Sequence, residues 1–347
     1  MKSIRAALLS IALAPLLSEG AFLDDLAAKS NRTQESPFAT GGDIILKISS
    51  REYVHIFTNV NTVSTFQLNE RSIARILCVG GGGPGGNYHT GYVLHGGGGG
   101  AGGFVEREDV KLAAGTYSIV VGKGGVPSAH SVVNDSGDES AVMRGETDIV
   151  RAHGGGGGGS PYSWSALGDY KTDARCGRDG ASGGGSCSWD YGDNKDGGKG
   201  GKAVWGAEGN RGGLAKGAKE GGKNEYGAGG GGAGEVGYHN YDTTYPGKGG
   251  DGRSCDITGD ELWYAGGGAG GFAGSQNMSI AGGRGGGGSV EIRSQKIIET
   301  AAVRGTGGGG YGGTMVSMGE KKAGNGADGI VIVRVVRAAE GFKVIVR

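Results

Sequence analysis

Residues 73–86 read IARILCVGGGGPGG, and the break after Val79 decides the fold. Up to Val79 the stretch is apolar and β-branched, at the length of one strand. From Gly80 onward it carries almost no side chains. Blocks of the same kind recur at 96–100, 154–159, 229–232, 266–268, 285–288 and 307–310, spaced by variable polar segments. Residues 98–104 and 266–272 are the same heptapeptide, GGGAGGF, which marks a recurring structural unit.

Glycine therefore has to be explained first: the chain has 83 glycines and 6 prolines in 347 residues, without the triplet period of collagen. A mobile linker is the ordinary reading of such sequence. Against it, the blocks lack the Ser, Lys and Glu that accompany disorder, and strand-like segments flank them. Extended chains with three residues per turn can pack very closely when only hydrogen projects between them, and then bond N–H to C=O across neighbours. Ordering glycine costs roughly 1–2 kcal/mol per residue, so such helices must pack in numbers and be held at their ends. Strands and loop disulfides are the expected anchors.

Upstream, residues 43–50, 53–58, 63–68 and 73–79 are short β-branched and aromatic runs, expected as successive strands of a meander or half a sandwich. Further strands are expected at 104–110, 117–121, 148–152 and, most strongly, 329–336 (GIVIVRVV). The fold class expected is mainly β with irregular structure: short antiparallel strands pinning a bundle of polyglycine-II helices, with almost no α-helix.

The first twenty residues have a charged start (Lys2, Arg5) and an apolar core too short to span a bilayer, as an export signal does. The expected division is a signal peptide at 1–20, a mobile leader at 21–42, the glycine-rich domain at 43–336 and an extension at 337–347. Export implies an extracellular, disulfide-permitting setting. Cys176 and Cys187 are the expected bridge. Cys78 lies in an apolar run and reads as a small core residue, and Cys255 is then left free, bridged to Cys78, or bridged between molecules. Asn31, Asn134 and Asn277 head glycosylation sequons. Basic and acidic residues balance at 35 each, so neither nucleic acid nor membrane insertion is expected among the partners.

Three segments, taken in order, resemble the glycine-rich domain of bacteriophage tail-fibre tip adhesins: 53–86, 115–125 (GTYSIVVGKGG) and 327–335 (ADGIVIVRV). A glycine-rich region of the anaplastic lymphoma kinase family's ectodomain is similar. The resemblance implies a polyglycine-II bundle with loops between its helices that contact a receptor in the adhesins, and ligand recognition in the kinase family.

Motifs for chemistry fail on context. Gly80, Gly82 and Gly85 match a dinucleotide fingerprint, but Pro84 sits inside it, no helix follows, and glycine at this density produces the pattern by chance. Residues 180–184 match G-x-S-x-G without the preceding strand or a suitable downstream His and acid. The acidic residues near Gly197 do not fall at calcium-loop positions, and the histidines lack metal-ligand spacing. No catalytic residue, cofactor or metal is expected, and the chain reads as non-enzymatic.

The aromatic residues carry the functional reading. Tyr162, Trp164, Trp189, Tyr191, Trp205, Tyr238, Tyr241, Tyr245, Trp263 and Tyr264 all fall between glycine blocks, while the strands use Ile, Val, Leu and Phe. Rings with a polar handle, set among Ser, Gly and Asn, make adaptable contact surfaces on a rigid frame. The alternative is that each ring caps the glycine bundle. The expectation is a surface-recognition or adhesion module whose partner is a glycan or protein on another surface. A structural subunit of a matrix, wall or filament, in which the loops meet copies of the same chain, is the other reading.

Overall fold

The computed structural model describes residues 21–30, 36–88, 95–128, 135–161, 175–187, 198–215, 226–240, 245–272, 277–316 and 321–337. After helix α1 (Ala21–Lys29) come β1 (Ala39–Thr40), β2 (Ile44–Ser49), β3 (Glu52–Phe57), β4 (Ser64–Leu68) and β5 (Ser72–Val79). Then follow β6 (Phe104–Leu112), β7 (Gly115–Val120), β8 (Ser140–Arg144) and β9 (Thr147–Ala152). Further along lie β10 (Arg253–Cys255), β11 (Leu262–Tyr264), β12 (Met278–Ile280), β13 (Ser289–Arg293) and β14 (Lys296–Thr300). The last are β15 (Thr314–Met315), β16 (Lys321–Lys322) and β17 (Ile330–Arg337).

Two five-stranded antiparallel sheets, ordered β1-β4-β7-β8-β9 and β2-β3-β17-β5-β6, carry the fold. The strands expected from the sequence are present, but the first four do not form a meander. The hairpin β2-β3 lies in one sheet, β4 in the other, and β17 separates β3 from β5. The apolar run of β17 supplies the reason: Ile330 to Val333 are buried on both faces, which only a central strand between covered faces achieves.

The alternation of side chains sorts that sheet's two faces. Tyr53, Phe57, Ile76, Cys78, Val331 and Val333 face Phe66, Tyr117, Ile119 and Val142 of the other sheet. Val54, Ile56, Leu77, Val79, Ile330 and Ile332 face the opposite way, against Phe22 and Leu26 of α1 and against Phe104, Ile257 and Tyr264. The leader expected at 21–42 is thus partly folded. Phe22 and Leu26 sit one turn apart on one side of α1 and find a ready apolar face, while Ala39 of β1 enters the sandwich core.

Strands run directly into polyglycine. Residues 80–86 continue β5, residues 96–103 lead into β6, and 324–329 lead into β17. Within 96–103 the backbone partners repeat every three residues, the period of polyglycine II. Gly97, Gly100 and Gly103 donate to Gly159, Gly156 and His153; Gly98 and Ala101 donate to Ala228 and Gly231; Gly99 and Gly102 donate to Gly310 and Gly307. Their carbonyls accept from three other segments: Gly86, Gly83 and Gly80; Gly185 and Ser182; Gly271 and Gly268. The helix at 96–103 therefore has six neighbours, three that it donates to and three that it accepts from.

The strands are the anchors, and the expected Cys176–Cys187 bridge is not formed. The two residues lie on neighbouring segments, where the N–H of Cys187 donates to the Arg175 carbonyl at 3.0 Å and Cys176 Sγ accepts the Lys199 N–H at 3.2 Å. Cys78 is fully buried in the sandwich, as expected. Cys255 is also a core residue, its thiol donating to Glu106 Oε1 at 3.3 Å, and burial raises its pKa to about 12. Among the described residues no helix is long and apolar enough to cross a membrane.

Candidate recognition surface

One rim of the bundle is traced by backbone bonds. Gly103 donates to His153, Ala233 to Ala265, Gly234 to Asp251 and Gly252 to Arg284. The side chain of Asn210, two residues beyond Glu208, bonds to the same rim, its amide reaching the carbonyls of Gly232 at 2.9 Å and Ala233 at 3.1 Å. Side chains borne at these positions stand on a lattice that cannot shift without breaking several hydrogen bonds.

Trp205 occupies one part of this rim and is half exposed. Its ring stacks on His153 with centroids 3.9 Å apart and planes 4° from parallel. A single turn of 3₁₀ helix, Gly206–Glu208, brings Glu208 back under the histidine. Glu208 Oε1 lies 3.0 Å from His153 Nδ1, and Oε2 accepts the His153 backbone N–H at 2.8 Å. A Cβ at Gly103 would collide with that carboxylate, so glycine there clears the space Glu208 occupies. The outcome is a tryptophan fixed from behind.

The other part alternates rings and charges. Tyr238 donates its hydroxyl to Glu235 Oε1 at 2.6 Å, which raises the pKa of the phenol. The Lys248 ammonium lies 5.5 Å from the Tyr238 ring centre and 2.9 Å from Asp251 Oδ1. Asp251 Oδ1 also accepts the Arg284 backbone N–H at 3.0 Å, and the Arg284 guanidinium stands 5.3 Å over the Trp263 ring. Tyr238, Lys248, Asp251, Arg284 and Trp263 thus form one continuous row.

Of the aromatic residues singled out from the sequence, Trp205, Tyr238 and Tyr245 are exposed and Trp263 is half-buried. Tyr264 is corrected to a core residue. It is fully buried, edge-on to Phe22 at 5.6 Å, because its position in β11 alternates inward while Trp263 alternates outward. Tyr162, Trp164, Trp189, Tyr191 and Tyr241 lie outside the described residues, as do Asn31 and Asn134. Asn277 is exposed, with Oδ1 accepting the Ser294 N–H at 2.9 Å.

Sequence reasoning missed the charged partners. Glu208, Lys248, Asp251 and Arg284 have no motif to mark them, since the contacts of Glu208 with His153, of Lys248 with Tyr238, of Asp251 with the Arg284 N–H and of Arg284 with Trp263 join segments that only the lattice brings together.

No curated protein matches the chain. A family model does, the glycine-rich domain, over residues 58–336, which takes in the sandwich from β4 onward, the polyglycine lattice and the central strand β17. The chain belongs to the glycine-rich domain family.

Proposed function

We propose that this protein is a secreted, non-catalytic recognition module that binds a ligand on another surface through side chains of the bundle rim. The observation that carries the reading is the row Tyr238–Lys248–Asp251–Arg284–Trp263, in which each ring is held by a charged neighbour that is itself tied to the lattice. Binding sites gain affinity when their contact groups are ordered before the ligand arrives, because less freedom is lost on association. Rings alternating with carboxylate, ammonium and guanidinium groups suit a neutral, hydroxyl-rich ligand such as a glycan: the rings cover its C–H faces and the charged groups accept from or donate to its hydroxyls. The resemblance of residues 53–86, 115–125 and 327–335 to tail-fibre tip adhesins supports the same reading, as does the export-type sequence at 1–20.

The test is a glycan array probed with the purified chain, followed by titration of any hit against Trp263→Ala and Tyr238→Ala. Hits that weaken about tenfold or more in either variant support the proposal. Polymers that grow with concentration, with no glycan bound, would instead make the chain a structural subunit.

A further inference from the structure

The segment 324–329 sits at the perimeter of the lattice, and its hydrogen bonds show which neighbour it lacks. The N–H groups of Gly324 and Ala327 donate to Tyr311 and Gly308, and those of Gly326 and Gly329 donate to Gly125 and Gly122. With three residues per turn, the amides of Asn325 and Asp328 share the third direction. Neither has a partner among the described residues. That direction is filled in the helix at 96–103, where all three sets of amides find a neighbouring segment.

A groove of about 610 Å³ lies against Asn325 and Asp328. It is also lined by the stretch after β14, including Ala301 and Ala302, and by Tyr311 and Ala323. Asp328 braces the site from within the wall, Oδ1 accepting the Gly124 N–H at 3.0 Å and Oδ2 facing Arg304 Nε at 3.2 Å. Lys123 and Arg304 are balanced there by Glu299 and Asp328, so the groove has no net preference for a charged ligand.

We propose that this groove binds an extended, neutral, glycine-rich segment of a partner protein, which takes the vacant lattice position as one more polyglycine-II helix. Its carbonyls, at every third residue, would accept from Asn325 and Asp328, as an added strand does at the edge of a sheet. The small side chains of Ala301, Ala302 and Ala323 leave room for a main chain to approach. Side chains on the partner would be excluded where it meets the lattice, for the reason that makes the lattice glycine. A second copy of this chain is a poor occupant through the same segment. Bonds between two neighbouring helices run one way, as Gly80, Gly83 and Gly86 all donate to 96–103, so two identical edges would set amide against amide.

The test is amide NMR on the full chain, titrated with the capped peptide acetyl-GGGAGGGAGG-amide and with a control in which every third residue is Val. Saturable binding of the first peptide, slowed exchange at the Asn325 and Asp328 amides, and at least tenfold weaker binding of the control are expected. Asn325→Pro keeps the polyproline-II backbone angle while removing one donor, and should weaken binding about tenfold. Ala301→Tyr fills the groove without entering the lattice and should abolish binding, which keeps the test decisive if Asn325→Pro does not fold. The proposal is overturned if neither peptide saturates, if the Val peptide binds as well, if Ala301→Tyr still binds, or if both amides are already protected in a dimer without peptide.

Discussion

The N–H of Gly268 donates to the carbonyl of Gly99 at 2.9 Å, and that of Gly271 to Gly96 at 2.9 Å, so the two GGGAGGF heptapeptides run antiparallel as immediate neighbours. Their shared Ala and Phe positions then point to different cores. Ala101 and Phe104 enter the cluster against the central sheet, while Ala269 and Phe272 enter the one built on β12, β13 and β14. One repeated sequence thus anchors the bundle at two places.

Gly99→Val and Gly268→Val should each abolish the folded state. A Cβ at Gly99 would overlap the Gly83 carbonyl, and one at Gly268 the Gly310 carbonyl, and both obstacles are backbone. The expected cost exceeds about 4 kcal/mol, beyond what a marginally stable domain tolerates. Gly145→Asn is the control: Gly145 has φ +61° with nothing within 4 Å of where a Cβ would stand, and Asn tolerates that conformation, so the cost should stay below about 1 kcal/mol. Soluble yield and calorimetric melting of the three variants check this; normal melting of either valine variant contradicts the packing argument.

Acid should destabilise the fold through two buried histidines. His55 donates from Nδ1 to the Gly41 carbonyl at 2.6 Å, and burial lowers its pKa below the ordinary 6.5; burial lowers that of His95 to about 3. Protons therefore bind the unfolded chain more readily. The stabilising contribution is complete above pH 6.5 and is lost as pH falls toward the folded value, by about 1.4 kcal/mol per pH unit for each histidine. Melting temperature should drop between pH 6.5 and 4, and less steeply in His95→Gln; a flat profile would show that both rings are accessible to protons in the fold.

Tyr264→Phe should leave stability unchanged or raise it by about 1 kcal/mol. The Tyr264 hydroxyl is buried without a hydrogen-bond partner among the described residues, so removing it relieves a desolvated polar group while the ring contacts with Phe22 and Phe104 remain. Chemical denaturation measures the difference, and a loss above about 1 kcal/mol would mean the hydroxyl is satisfied.

Glu235→Gln should lower the phenol pKa of Tyr238 toward the ordinary value near 10, because the carboxylate that accepts its hydroxyl is what raises it. Ultraviolet difference titration reads the shift. An unmoved titration would detach Tyr238 from Glu235 and weaken the case for a pre-ordered rim.

Trp205→Ala should fold normally, since the ring is half exposed and only its rear face rests on His153. Its effect belongs to binding: a ligand captured by this rim should weaken without a change in melting temperature larger than about 2 °C.

The longer strands were legible because β-branched runs of strand length bounded by turns have few other ways to bury themselves, and β17 gave the strongest of these signals; its central place in the sheet came only from the tertiary structure. β1, β8 (SAVMR) and the short strands β10 to β16 were not legible, since a two- to five-residue run carries too little periodicity to stand out. At the rim, alternation in β11 separates Trp263 from Tyr264, but the sequence does not say which of two adjacent rings faces the core.

By itself, the sequence determined that main chain would pack against main chain, because long runs of glycine between strong strands leave no other way to build an interior. Tertiary structure alone decided which segments became neighbours. A glycine has no side chain to specify a partner, so the register of the lattice, and with it the meeting of Lys248 with Tyr238 and of Arg284 with Trp263, is set by the strands and aromatic anchors at its ends.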